Sequence, residues 1–208
     1  MKKIFIRTFG CQMNVRDSEV ICGLLVNAGY RLTNDSHKAD VIIFNTCSVR
    51  KHAEDRVFSL IGEYKKSAGL PLLGIVGCMA KHYKEEIFNK SACIDFVVGP
   101  ADIDKVPKII KSLLINKSYL KKKVLETSNI IRPQVIYHTG FYENKKHAYV
   151  VISEGCSNFC SYCIVPYVRG PLCQRNHKDI LKEIRLALRN GIVSFTFLGQ
   201  NVNSYSDG

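Results

Sequence analysis

Three short runs in this chain are apolar with no polar residue among them: residues 41–44 (Val-Ile-Ile-Phe), 72–76 and 96–98. A strand that is apolar on both faces has no side left for water. It belongs in a sheet covered on both faces, the usual setting of parallel strands. Residues 3–9 form a further apolar, β-rich run. Between these runs lie segments of helical spacing. In residues 18–28, Val20, Ile21, Leu24 and Leu25 form a stripe that Gly29 ends. Residues 53–66 and 103–114 also read as helices, the first ending at Gly69-Leu-Pro71. Alternating strand and helix predicts an α/β domain built on a parallel sheet over residues 1–117.

The pattern then changes. Residues 118–147 hold Lys121-Lys-Lys123, Ser128-Asn129, Arg132-Pro133 and Glu143-Asn-Lys-Lys146, which read as an interdomain connection with one extended piece at 134–137. In residues 148–208 the alternation resumes: strand 149–153, a cysteine-rich loop, helix 177–190, Gly191, strand 194–198. This is one βα unit followed by a strand.

The loop reads Gly155-Cys-Ser-Asn-Phe-Cys-Ser-Tyr-Cys-Ile164. Cys156, Cys160 and Cys163, spaced C-x3-C-x2-C, could hold three irons of a four-iron cluster and leave the fourth open to a small molecule. Zinc is the competing reading. It needs four ligands, and the nearest fourth candidates are Cys173 and His177. Disulfides fit poorly, because the nine cysteines are an odd number and no signal peptide precedes them. A second constellation is spread along the sequence. Cys11, Cys47 and Cys78 each follow one of the first three expected strands. Strand C-termini of a parallel sheet share one edge, with neighbours ~4.8 Å apart, so three such thiols could converge on a cluster-sized site. Gly10 and Gly77 would let the backbone turn there. The alternative is that they are small buried hydrophobes. Cys22 and Cys93 read as packing residues and Cys173 as a loop cysteine.

The chain carries 30 basic and 18 acidic residues, a formal charge of +12. That excess suits a polyanion such as RNA, although the lysines are scattered rather than striped. No stretch approaches the ~20 apolar residues of a membrane span, and the apolar N-terminal run breaks at Arg7, so a cytoplasmic location is expected.

Five segments together resemble the radical S-adenosylmethionine methylthiotransferases, and most closely their MiaB-type tRNA branch: Thr8-Phe-Gly-Cys-Gln-Met-Asn-Val-Arg-Asp-Ser-Glu19, Asn45-Thr-Cys-Ser-Val-Arg50, Gly74-Ile-Val-Gly-Cys-Met-Ala80, the run from Gly155 to Gly170, and Leu198-Gly-Gln-Asn-Val-Asn-Ser-Tyr205. The resemblance implies a Rossmann- or flavodoxin-like methylthiotransferase domain followed by the start of a radical (β/α) partial TIM barrel. It implies two [4Fe-4S] clusters. Cys156, Cys160 and Cys163 would hold the one that binds and splits S-adenosylmethionine, and Cys11, Cys47 and Cys78 an auxiliary one carrying the sulfur to be inserted. Tyr162 would lie against the adenine of the cofactor, and Gln200 and Asn201 near its methionine part. The implied reaction methylthiolates C2 of N6-isopentenyladenosine beside the anticodon of tRNA, with an electron-donor protein as further partner and the enzyme a monomer. That C–H bond has no acidic proton for a side chain to take, so His52 and His82 are expected at the surface. Arg16, Arg50 and Arg169, flanking the cysteine motifs, are candidates for phosphate contact, with local salt bridging as the alternative.

The chain departs from the family in two respects. Two barrel strands are visible, fewer than a barrel needs, so the chain is expected to be an incomplete and inactive piece whose residues 148–208 stay loose. Gln174 stands where the family usually has serine. The alternatives are a related branch, acting on threonylcarbamoyl-adenosine or a ribosomal protein, or a non-catalytic iron–sulfur and RNA-binding piece.

Overall fold

The computed structural model describes residues 1–48, 51–64, 71–115, 123–128 and 131–206, without the side chains of residues 51–54. Arg50, Gly69, Lys121, Lys122, Asn129 and the side chain of His52 lie outside the described residues. In chain order the elements are β1 (Lys3–Phe9), α1 (Gln12–Asn27), β2 (Arg31–Leu32), β3 (Val41–Thr46), α2 (Lys51–Tyr64), β4 (Leu72–Gly77), α3 (Cys78–Tyr83), α4 (Glu86–Lys90), β5 (Phe96–Val98), α5 (Val106–Ile115) and β6 (Val124–Glu126). The later elements are β7 (His147–Val151), β8 (Ser153–Glu154), α6 (Val165–Arg169), β9 (Cys173–Gln174), α7 (His177–Arg189) and β10 (Ser194–Leu198).

The first six strands form one parallel sheet in the order β2-β1-β3-β4-β5-β6. Its central strands are buried on both faces, as their unbroken apolar sequences require. Val41 and Ile43 face one side, where Val20, Ile21 and Leu25 of α1 and Val106, Ile110 and Leu113 of α5 cover them. Ile42 and Phe44 face the other, against Val57 and Ile61 of α2 and Ile87 of α4. Each such side chain contributes roughly 1.5–3 kcal/mol by leaving water.

Several boundaries differ from the sequence-based expectation for physical reasons. Helix α1 starts at Gln12, not residue 18, because its first turns bury Asn14, Arg16, Asp17, Ser18 and Glu19 rather than an apolar stripe. The expected helix 103–114 is a 3-10 turn, Pro100–Lys105, leading into α5. Residues 134–137 are not extended but lie in a second 3-10 turn, Gln134–Thr139. That turn sends Ile136 and Tyr137 into the core beside α1. The supposed connection also supplies β6, which completes the sheet edge.

Residues 147–206, expected to stay loose, pack against the first domain. β7 and β10 pair in parallel, with α7 as the crossover between them. Ala148 packs on Ala187 and Ile192, and Val150 on Ile180. Val151 and Leu198 join the first core. Among the described residues no helix is long and apolar enough to cross a membrane.

Candidate metal and cofactor site

β1, β3 and β4 are immediate neighbours, and their register sets Phe9, Thr46 and Gly77 abreast. The next turn of each chain therefore delivers Cys11, Cys47 and Cys78 to one carboxyl edge. A polar scaffold fixes these loops from below. Asn45 donates to the Asn14 carbonyl at 2.8 Å and to Ser18 Oγ at 2.9 Å, while Asn14 donates back to Asn45 Oδ1 at 3.0 Å. Asn14 Oδ1 also accepts from the Cys11 backbone N–H at 3.4 Å, holding Cys11 at the N-cap of α1. Gly77 has φ +95°, and a Cβ there would lie 2.5 Å from Asn45 Oδ1. At Gly10 the requirement is room: a Cβ would meet the Asn14 amide at 2.4 Å.

The chemistry of these thiols suits a metal. A hydrogen bond with Cys47 holds the Cys11 thiol down at about 5, against the opposing effect of burial; the Asn14 and Met13 amides and the Arg169 charge add to it. Arg169 donates from Nε to Cys78 Sγ at 3.3 Å. Its Nη1 is buried and has no hydrogen-bond partner. Among the described residues no three His, Cys, Asp or Glu side chains close around a single metal ion. Zinc with 2.3 Å bonds would draw thiolates to within about 4 Å of each other. A four-iron cube is larger and spreads its ligands further apart.

Cys156, Cys160 and Cys163 sit on an open loop, Cys160 exposed and the other two half-buried. Cys156 N–H donates to the Gly170 carbonyl at 3.1 Å, and Cys163 N–H to the Cys160 carbonyl at 2.9 Å. Tyr162 is 91% exposed, so its ring is not ordinary packing. β7 and β10 place Val151 beside Leu198, and the backbone pairing continues with Ile152 N–H to the Leu198 carbonyl at 2.9 Å. Ser153 Oγ lies 2.5 Å from where a Cβ would stand on Gly199, the residue before Gln200. Both present buried polar atoms without partners, Ser153 Oγ and Gln200 Oε1. Ser153 was not legible as a site residue; one serine at a strand end carries no sequence signal. Asn201 is committed to a turn, donating to Ser204 Oγ at 2.6 Å. Gln174 clamps the same turn, donating to the Ser204 carbonyl at 2.8 Å and accepting from the Ser206 N–H at 2.9 Å.

Arg16 and Arg169 are not phosphate ligands: they are 0% and 7% exposed. Arg16 pairs with Glu19 at 3.1 Å and Glu183 at 3.0 Å. Arg175 also binds Glu183, and Arg132 and Arg169 each hold one oxygen of Asp17 at 2.6 Å. Glu154 accepts from Tyr137 at 2.6 Å and lies 3.0 Å from Arg132 Nε. The four guanidinium groups weld α1, the 132–142 segment, α6 and α7 into one junction. His82 is exposed, with its ring against Tyr83.

Residues 3–99 match the family described as "Uncharacterized protein family UPF0004". Over 99% of its length the chain is 44% identical to the tRNA-2-methylthio-N(6)-dimethylallyladenosine synthase of Dictyoglomus thermophilum and 42% identical to that of Syntrophus aciditrophicus. It is 40% identical over 98% of its length to the synthase of the same name from Geobacter sulfurreducens. It covers 46%, 44% and 46% of these relatives. The chain thus spans a little under half the length of the curated relatives it matches. With its UPF0004 match over residues 3–99 and this identity along nearly its whole length, the chain is similar to part of the tRNA-2-methylthio-N(6)-dimethylallyladenosine synthases.

Proposed function

We infer that this chain is the cluster-bearing half of a tRNA methylthiotransferase acting on C2 of N6-isopentenyladenosine beside the anticodon. The observation that carries the reading is the register of β1, β3 and β4, which brings three distant cysteines to one sheet edge. The synthase names of its relatives support the same reaction class. Cys11, Cys47 and Cys78 would hold one [4Fe-4S] cluster, and Cys156, Cys160 and Cys163 a second with an open iron. When bound, these groups and S-adenosylmethionine supply the one-electron chemistry that an unactivated C–H bond demands.

The residues contribute position and polarity. Tyr162 offers an exposed ring to a base, while Ser153 and Gln200 offer a hydroxyl and a carbonyl to the amino-acid part of the cofactor. β7, α7 and β10 would open a partial barrel whose strand carboxyl ends face the ligand. A basic surface suits an anticodon stem-loop, whose unpaired base can be splayed out to an active site. The location would be the cytoplasm, with the electron supplied by a partner protein.

The test uses the gene product that contains these residues, reconstituted without oxygen and given reductant, S-adenosylmethionine and an isopentenylated anticodon stem-loop. Mass spectrometry should find the methylthio group on that adenosine. Cys160→Ala should abolish both this product and cofactor cleavage. Cleavage that persists in Cys160→Ala refutes the cluster assignment, and methylthiolation of a different substrate refutes the branch.

A further inference from the structure

The segment that follows the C-x3-C-x2-C loop returns to the other cysteine trio. Helix α6 begins two residues after Cys163 and packs on α3, whose first residue is Cys78. Its last residue, Arg169, is 7% exposed. One guanidinium edge is spent on protein: Nη2 donates to Asp17 Oδ2 at 2.6 Å, and Asp17 is held from its other oxygen by Arg132 at 2.6 Å. The remaining donors are aimed elsewhere. Nε reaches Cys78 Sγ at 3.3 Å, and buried Nη1 has no hydrogen-bond partner, with Glu154 at the ion-pair limit of 4.0 Å. Leaving a buried guanidinium N–H unsatisfied is costly. Nη1 lies on the side away from Cys78 and faces Glu154, so Nε is the donor aimed at the cysteine edge.

We propose that Arg169 is a positioning and tuning residue for the cluster held by Cys11, Cys47 and Cys78: its Nε–H, aimed at the Cys78 sulfur, raises the reduction potential of that cluster. This rests on the cluster reading of those three cysteines. Adding one electron makes a cluster one unit more negative, and hydrogen bonds from a cation to its sulfurs stabilise that form. Asp17 and Arg132 fix the angle of the fork. Because Arg169 closes the helix that follows the other cysteine loop, it is also a mechanical tie between the two sites.

The experiment removes the loop cluster with Cys156→Ala, Cys160→Ala and Cys163→Ala together, reconstitutes the remaining site without oxygen, and titrates it electrochemically while following the paramagnetic signal of the reduced form. Iron is counted on the same samples. Arg169→Lys retains a cation for Asp17 but lacks the fork that serves both Asp17 and Cys78. It should keep about four irons per chain. Its potential should fall by an amount equal to at least a tenfold shift in the reduction equilibrium, about 59 mV for one electron. Arg169→Gln should fall further; if it does not fold, Arg169→Lys alone decides. An unchanged potential at full iron content overturns the tuning role and leaves the cysteine reading standing. Failure of the triple-alanine background to bind iron at all overturns both.

Discussion

Asp17 balances two buried arginines with one carboxylate, its oxygens each 2.6 Å from Arg132 and Arg169. Burial pushes its carboxyl up, but the two guanidinium groups pull harder and hold it below its ordinary value of 3.8. A carboxyl depressed on folding stabilises the fold above its unfolded pKa, and this is lost as pH falls through the folded value. Asp17→Asn should therefore lower stability by about 3–5 kcal/mol near neutrality. The gap between parent and variant in urea titrations should narrow below about pH 4. A gap that stays constant down to acid pH would contradict this. Glu19 works in the opposite sense, since burial raises its carboxyl more than Arg16 lowers it, so the paired comparison is needed. The thiols make a second residue-scale prediction. Burial, with help from Glu143 and Glu19, pushes Cys22 up to about 12. In cluster-free protein at about pH 8, iodoacetamide should label exposed Cys160 on the order of a hundredfold faster than Cys22, read by peptide mass spectrometry. The arrival of Cys11, Cys47 and Cys78 at one sheet edge was legible because each directly follows a strand, which is a local fact. The sequence did not carry the fate of Arg16 and Arg169, because nothing in a flanking arginine says whether its partner is a phosphate or a carboxylate more than a hundred residues away.

At the scale of elements, the strand ends are the working parts. Gly77 stands between β4 and α3 at φ +95°, with Asn45 Oδ1 and the Thr46 carbonyl where a Cβ would go. Gly77→Ala should cost about 1–3 kcal/mol of backbone strain, with crowding against the Asn14–Asn45 scaffold on top. It should also reduce iron at the Cys11, Cys47 and Cys78 site while sparing the loop site. Equal loss from both sites would mean general misfolding instead. The central strands were legible because two-faced burial leaves an unmistakable apolar run. Helix α1 was legible only in its second half. Its first turns bury hydrogen-bonded polar groups, so hydrophobic periodicity is silent there although the helix is as well packed. β6 and the 134–139 turn were hidden by their charged and polar neighbours, and tertiary contact decides their conformation.

Across the whole molecule, the buried ion pairs make the second segment part of the first. Arg16 on α1 and Glu183 on α7 are both fully buried and 3.0 Å apart. Removing either partner leaves a charge stranded, which is a strong bar to partial opening. The protein should unfold in a single transition, and limited proteolysis should leave residues 131–206 attached to the first domain. Glu183→Gln should split that behaviour and release the 147–206 segment first. Early loss of the segment from the parent protein would restore the sequence-based expectation of a loose tail. The same junction carries Arg169 to Cys78, so the two cysteine trios are held by one rigid frame. The central claim is that both trios hold clusters, and iron counting on oxygen-free reconstituted protein tests it most directly. The parent should bind about eight irons per chain, and replacing either trio with alanine should leave about four. A single tightly held zinc, or an iron content that no trio replacement changes, would contradict it.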